Sequence, residues 1–164
     1  MSLVSFTSMP DDGRLWVFSA AEALDADASA RLLEVVDSYL DKWRAHGTPL
    51  QAARDWRDSR FLAIAVDEAA SGASGCSIDG MFRVLAELEE EIGTSMVGAG
   101  RVFWRDRSGS IISGTRQEFS AASRVGDVTP ETMVFDPSIT TVGEWRNSFE
   151  RPTQSSWHAR LVAA

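Results

Sequence analysis

Two connections in this chain are too short for anything but hairpins. Asp58-Ser59 separates a weak strand candidate, Leu50 to Arg57, from the apolar run Phe61-Leu62-Ala63-Ile64-Ala65-Val66. Asp106-Arg107-Ser108-Gly109 separates Val102-Phe103-Trp104-Arg105 from Ser110-Ile111-Ile112-Ser113. A crossover between parallel strands needs a dozen or more residues, so both links join antiparallel neighbours. A doubly wound parallel sheet is disfavoured on that ground.

Arg14-Leu15-Trp16-Val17-Phe18 reads as a first strand. Asp25 or Asp27 can cap a helix running to about Ala45, with Leu32, Leu33, Val36, Tyr39, Leu40 and Trp43 on its apolar face and His46-Gly47 as its stop. Ile78, Met81, Phe82, Leu85, Leu88 and Ile92 recur at helical spacing and predict a second helix from about Ile78. Arg116 to Arg124 predicts a short third helix, and Thr132 to Phe135 a last strand. Beyond Pro137 the reading is mostly loop with short helical turns. The order strand–helix–strand–strand–helix–strand–strand is a split βαβ pattern. It predicts an α+β, ferredoxin-like sandwich: a mainly antiparallel sheet with helices on one face. The expectation is a single domain, 1–164, with a core of about 10–114 and a C-terminal extension of about 115–164.

Composition sets further bounds. The formal net charge is −8, which disfavours nucleic acid and anionic membranes, since both need a basic face. No apolar run is long enough to span a bilayer, and the first residues lack the features of a secretory leader, so a cytoplasmic location is expected. One cysteine, Cys76, excludes an internal disulfide and multi-cysteine metal sites. No cofactor or metal site is expected. The ATP-binding pattern G-x-x-x-x-G-K-[ST] is absent; Lys42 is the only lysine.

Two segments carry candidate chemistry. In the first, Asp67 ends the apolar strand and Ser71 to Asp79 leads into the second helix. Cys76 would sit near the positive end of that helix's dipole, where a thiolate is stabilised, with Ser77 as N-cap. Ser74, Gly75 and Ser77 could offer backbone N–H groups to an anion. Asp79 complements the dipole, and Asp67 or Asp79 could orient a histidine. The second segment is Ser155-Ser156-Trp157-His158-Ala159-Arg160. His158 could move protons and Arg160 could hold a carboxylate or phosphate. The structural alternative is a tail docked by Trp157. His46 reads as a helix cap or a second base. Both segments have polar or apolar groups that are costly to leave alone, so the tail is expected to fold against loop 71–79. The acidic run Glu87 to Glu91 reads as a solvated helix face. Trp104 alternates with Phe103, and an outward Trp104 would suit a homodimer.

The chain resembles a family of small, uncharacterised bacterial proteins that often carry the label "ABC transporter ATPase". The resemblance rests on Met9-Pro10 with Arg14 and Trp16, Trp43-x-x-His46-Gly47, Ser74-Gly75-Cys76-Ser77-Ile78-Asp79, and Ser156-Trp157-His158-x-Arg160. It implies that these blocks form one site and implies no reaction; the label conflicts with the missing ATP-binding motif. The residues lead to two functional expectations. One is a cysteine-dependent hydrolase or transferase acting on a small anionic substrate. The other is a non-catalytic module that binds a ligand or a protein partner.

Overall fold

The computed structural model of the chain describes residues 3–45, 47–71 and 78–162. In chain order the regular elements are β1 (Arg14–Ser19), α1 (Ala26–Lys42), β2 (Arg44–Ala45), β3 (Thr48–Pro49), β4 (Ala52–Arg57), β5 (Phe61–Val66), α2 (Glu68–Ser71), α3 (Asp79–Ile92), β6 (Val102–Arg105), β7 (Ile111–Gly114), α4 (Arg116–Arg124), β8 (Met133–Phe135), α5 (Val142–Asn147) and β9 (Glu150–Pro152), with short 3-10 turns at Phe6–Ser8, Thr153–Ser155 and Trp157–Leu161. They form two compact units. The first holds the residues through Val97 together with Ser138–Arg146; the second holds Gly98–Pro137 and the residues from Asn147 onward.

The first unit is built on the antiparallel sheet β1-β5-β4. Asp58 and Ser59 both take positive φ (56° and 55°), the mirror-image turn that matches strand twist. Arg60 N–H closes it on the Arg57 carbonyl at 3.1 Å. All six residues of β5 are buried, so both sheet faces are covered. On one face Leu32, Val36 and Leu40 of α1 and Met81, Leu85 and Leu88 of α3 meet Phe18, Ala52, Leu62, Ile64 and Val66. The opposite face carries α5, whose Trp145 indole donates to Asp55 Oδ2 at 2.9 Å. Asp25 caps α1 by accepting from Ala28 N–H at 2.8 Å. The helix ends at Lys42, short of the expected Ala45, because Trp43 turns extended and the chain enters the small β2–β3 hairpin.

The second unit is a four-stranded antiparallel sheet, β7-β6-β8-β9. One face packs Val102, Trp104 and Val134 against Phe119 of α4 and Val128. Across the other, Phe135 meets Phe149 with ring centroids 5.6 Å apart. Arg105 spans the sheet to Glu150, its Nη2 donating to Oε1 at 3.2 Å.

The α+β class and the antiparallel pairing stand. The ferredoxin-like arrangement does not describe these sheets, because the β6–β7 hairpin pairs through β6 with β8 rather than joining β5. The division also differs from a core of 10–114 with an extension: residues 98–114 go with the later chain, and Ser138–Arg146 returns to the first unit. Trp104 is 5% exposed and Phe103 2% exposed, so Trp104 is not the outward residue a dimer surface would need. Among the described residues no helix is long and apolar enough to cross a membrane.

Candidate functional site

In the first unit a groove of about 650 Å³ runs along α1 on the side of α3. Arg31, Glu34, Val35, Ser38, Tyr39 and Lys42 line it at helical spacing, Val84 closes it from α3, and Trp43 and Arg44 form its end. That end is aromatic. Trp43 lies 6.0 Å from both Tyr39 and Trp16, centroid to centroid. Burial raises the Tyr39 pKa, with Arg83 acting in the opposite sense, so the phenol is neutral and keeps its proton.

The cations of the groove fall into two groups. Arg31 is spent: its Nε donates to both Glu91 oxygens at 3.1 Å, and Glu34 lies 3.7 Å away. Lys42 and Arg44 have no ion-pair partner among the described residues, and both are exposed. Lys42 has a bland reason to be there, since a cation in the last turn complements the helix dipole. Arg44 lies beyond the helix and has no such reason.

Two of the segments singled out from sequence meet here. Tyr39 lies against Gly80, so close that a Cβ there would overlap its hydroxyl, and Gly80 sits one residue after Asp79 in the first turn of α3. The first turn of α3 therefore lies against the Tyr39 side of the groove wall. Cys76, Ser74, Gly75, Ser77 and His46 lie outside the described residues. So does most of the loop on which the tail is expected to dock. Asp79 is exposed at the start of α3. Asp67 follows β5, its N–H bonded to the Gln51 carbonyl at 3.0 Å, beside a shallow hollow of about 280 Å³.

The tail segment belongs to the second unit, where it forms a closed polar nest. His158 is fully buried. Its Nδ1 shares a 2.7 Å hydrogen bond with Ser156 Oγ. Its ring stacks on Trp157 at 3.8 Å and meets the edge of Phe119 at 5.9 Å. The Trp157 indole N–H donates to Asp136 Oδ1 at 3.1 Å, and Arg151 reaches Asp136 Oδ2 at 3.4 Å. His158 Nε2 is buried with no hydrogen-bond partner among the described residues. Burial pushes the His158 pKa down to about 4; Asp136 opposes the shift, and Arg151 and Arg116 add to it. The imidazole is thus neutral at pH 7. Ser156, two residues away, is its hydrogen-bond partner, in place of the Asp67 or Asp79 expected from sequence. Arg160 is exposed.

The acidic run of α3 is more than a solvated face. Glu89 accepts from the N–H groups of Met96 and Val97 at 2.6 and 3.1 Å, fixing the turn after the helix. Burial raises its pKa, but the hydrogen bonds from Met96, Val97 and Ser95 outweigh that and hold the carboxyl below its ordinary range. Among the described residues no group of His, Cys, Asp and Glu side chains could hold a metal ion. Sequence reasoning passed over Tyr39, Lys42, Arg44 and Asp136 as site residues. Lys42 carried one signal, as the chain's single lysine. No protein-family model, curated protein or solved structure matches this chain.

Proposed function

We propose that the protein is a ligand-binding module whose α1 groove takes a small molecule with a flat apolar body and an anionic end. One observation carries this reading. Tyr39, half-buried, and Trp43, 6% exposed, line the groove beside two cations, Lys42 and Arg44, that make no described ion pair, although the Glu34 carboxylate lines it as well. Pockets for small ligands have this make-up: apolar lining with a few placed polar groups. The ring wall would receive the flat body, and the ammonium and guanidinium would receive the anion.

A thiol enzyme gains less support. Its proton shuttle would be His158, and that imidazole is fully enclosed and already bonded to Ser156. A base must reach the proton it takes.

The test uses 8-anilinonaphthalene-1-sulfonate, which has a flat body and one sulfonate, in a fluorescence titration of the folded chain. Saturable binding at one site is expected. The double variant Lys42→Gln/Arg44→Gln should weaken it by about tenfold while leaving the unfolding transition in place. Unchanged affinity in that variant would remove the groove from consideration.

A further inference from the structure

A second groove, of about 480 Å³, lies in the second unit between α4 and the 3-10 turn of the tail, lined by Arg116, Gln117, Ser120, Arg124 and Leu161. Its charge is out of keeping with the rest of the chain. Aspartates and glutamates outnumber lysines and arginines 24 to 16, yet among the described residues no carboxylate lines this groove. Arg116 and Arg124 are exposed and have no ion-pair partner among the described residues. Three arginines of the same unit are paired, Arg105 with Glu150, Arg107 with Asp127 and Arg151 with Asp136, while Arg101 and Arg160 make no described ion pair but do not line this groove.

The two free guanidiniums stand on one face of α4, eight residues apart. At 1.5 Å per residue their Cα atoms are separated by about 12 Å, two turns with Ser120 between them. Arg124, in the last turn, suits the helix dipole. Arg116 opposes it. It is the first residue of α4, where a cation meets the positive pole, and the N-cap there is already supplied by Thr115, which accepts from Glu118 N–H at 3.0 Å. Arg116 is also held in place, its guanidinium 5.3 Å from the centre of the Trp157 ring. Trp157 is fixed in turn by Asp136 and His158. The far wall is fixed too: Ser120 Oγ donates to the Leu161 carbonyl at 2.7 Å.

We propose that this groove binds a small ligand bearing oxyanion groups at both ends, one on Arg116 and one on Arg124. A guanidinium fork fits phosphate and carboxylate alike, so the shared chemistry is the oxyanion.

The experiment titrates pyrophosphate and, separately, citrate into the full chain at low salt, followed by calorimetry and by amide chemical shifts. The expected result is saturable 1:1 binding of at least one probe, with the shifts centred on Gln117 and Ser120. Arg116→Gln and Arg124→Gln should each weaken it by about tenfold, and added salt should weaken it further. Arg124 is exposed, so Arg124→Gln should unfold with the wild type, whereas Arg116→Gln also gives up the Trp157 contact and should unfold slightly earlier. Which probe binds tells phosphate from carboxylate. Lys42→Gln/Arg44→Gln should leave this binding unchanged. The proposal is overturned by no saturable binding of either probe at millimolar concentration, or by equal binding in the Arg116 and Arg124 variants. It is overturned equally by loss of binding only in the Lys42/Arg44 variant, which would put the anion in the α1 groove.

Discussion

The α1 groove and the His158 nest hold their polar groups in opposite ways. In the nest the polar side chains are tied to one another, Ser156 to His158, and Trp157 and Arg151 to Asp136, with only His158 Nε2 and Arg151 Nε buried without a described partner. At the end of the groove Lys42 and Arg44 reach water with no described counter-charge. A buried group tied to its neighbours stabilises the fold and has little left to offer a substrate. An exposed, uncommitted group adds little stability and is free to bind. The histidine that looks most catalytic in the sequence is therefore enclosed and bonded to Ser156, and on the function proposed above it is the cations at the helix end that recognise the ligand.

The largest effect should come from breaking the nest. Trp157→Ala removes the ring stacked on His158 and takes one donor away from Asp136, a carboxylate only 5% exposed. Large aromatic truncations and unsatisfied buried acceptors each cost a few kcal/mol. Urea unfolding of this variant should show a loss of about 3 kcal/mol. Lys42→Gln/Arg44→Gln should stay within about 0.5 kcal/mol of the wild type, as surface changes do. Equal stability losses in the two variants would erase the contrast.

Acid should act on the nest by a comparable amount. Folded His158 takes a proton only at about pH 4, whereas an unfolded histidine takes one near its ordinary value of 6.5. Between these values the unfolded chain binds more protons. The contribution of neutral His158 is therefore complete above about pH 6.5 and is lost as pH falls towards 4, by about 3 kcal/mol. Carboxylates also titrate in this range, so the informative quantity is a difference. Unfolding free energies of wild type and His158→Gln, compared between pH 7.5 and pH 4.5, should converge on acidification. Parallel pH profiles would mean that the ring takes up its proton in the fold as readily as in the unfolded chain.

What the sequence disclosed follows the range of the interactions. Asp25 as N-cap, the stripe Leu32-Val36-Leu40, α4 at Arg116–Arg124 and both hairpins all rest on neighbours within a few residues, and they were legible. β9 was not: Glu150-Arg151-Pro152 has neither alternation nor β-branched residues, and only its pairing with Met133–Phe135 makes it a strand. Nothing local says which sheet a hairpin will join, which is why β6–β7 was assigned to the first sheet. Trp104 was misjudged because alternation marks an outward residue only when one face of a sheet is wet, and both faces of β6 are covered. For the candidate sites, the residue types drew attention to His158, but its burial depends on Phe119 and Trp157 meeting it in the fold. The groove was invisible for the converse reason, since Tyr39 and Trp43 read as core and Lys42 as a helix end.

The smallest effect should come at the groove's own wall, through Gly80→Ala. Gly80 is the second residue of α3, and its φ is not among the positive values, so the backbone accepts alanine. Helix propensity alone would then favour the substitution by about 1 kcal/mol. The space does not. An added Cβ would overlap the Tyr39 hydroxyl oxygen and stand 3.1 Å from its ring carbon Cζ. The ring must swing away, giving up its place beside Trp43, and overpacking of this kind typically costs more than the propensity gained. The expected net result is a destabilisation of about 1 kcal/mol, read from urea unfolding, together with weaker binding of the sulfonate probe. In a Tyr39→Ala background the obstacle is gone, and Gly80→Ala should become neutral or stabilising. The coupling between the two sites in that cycle measures the contact directly. An equal cost of Gly80→Ala with and without the Tyr39 ring would show that the glycine serves α3 alone and that the groove wall is set elsewhere.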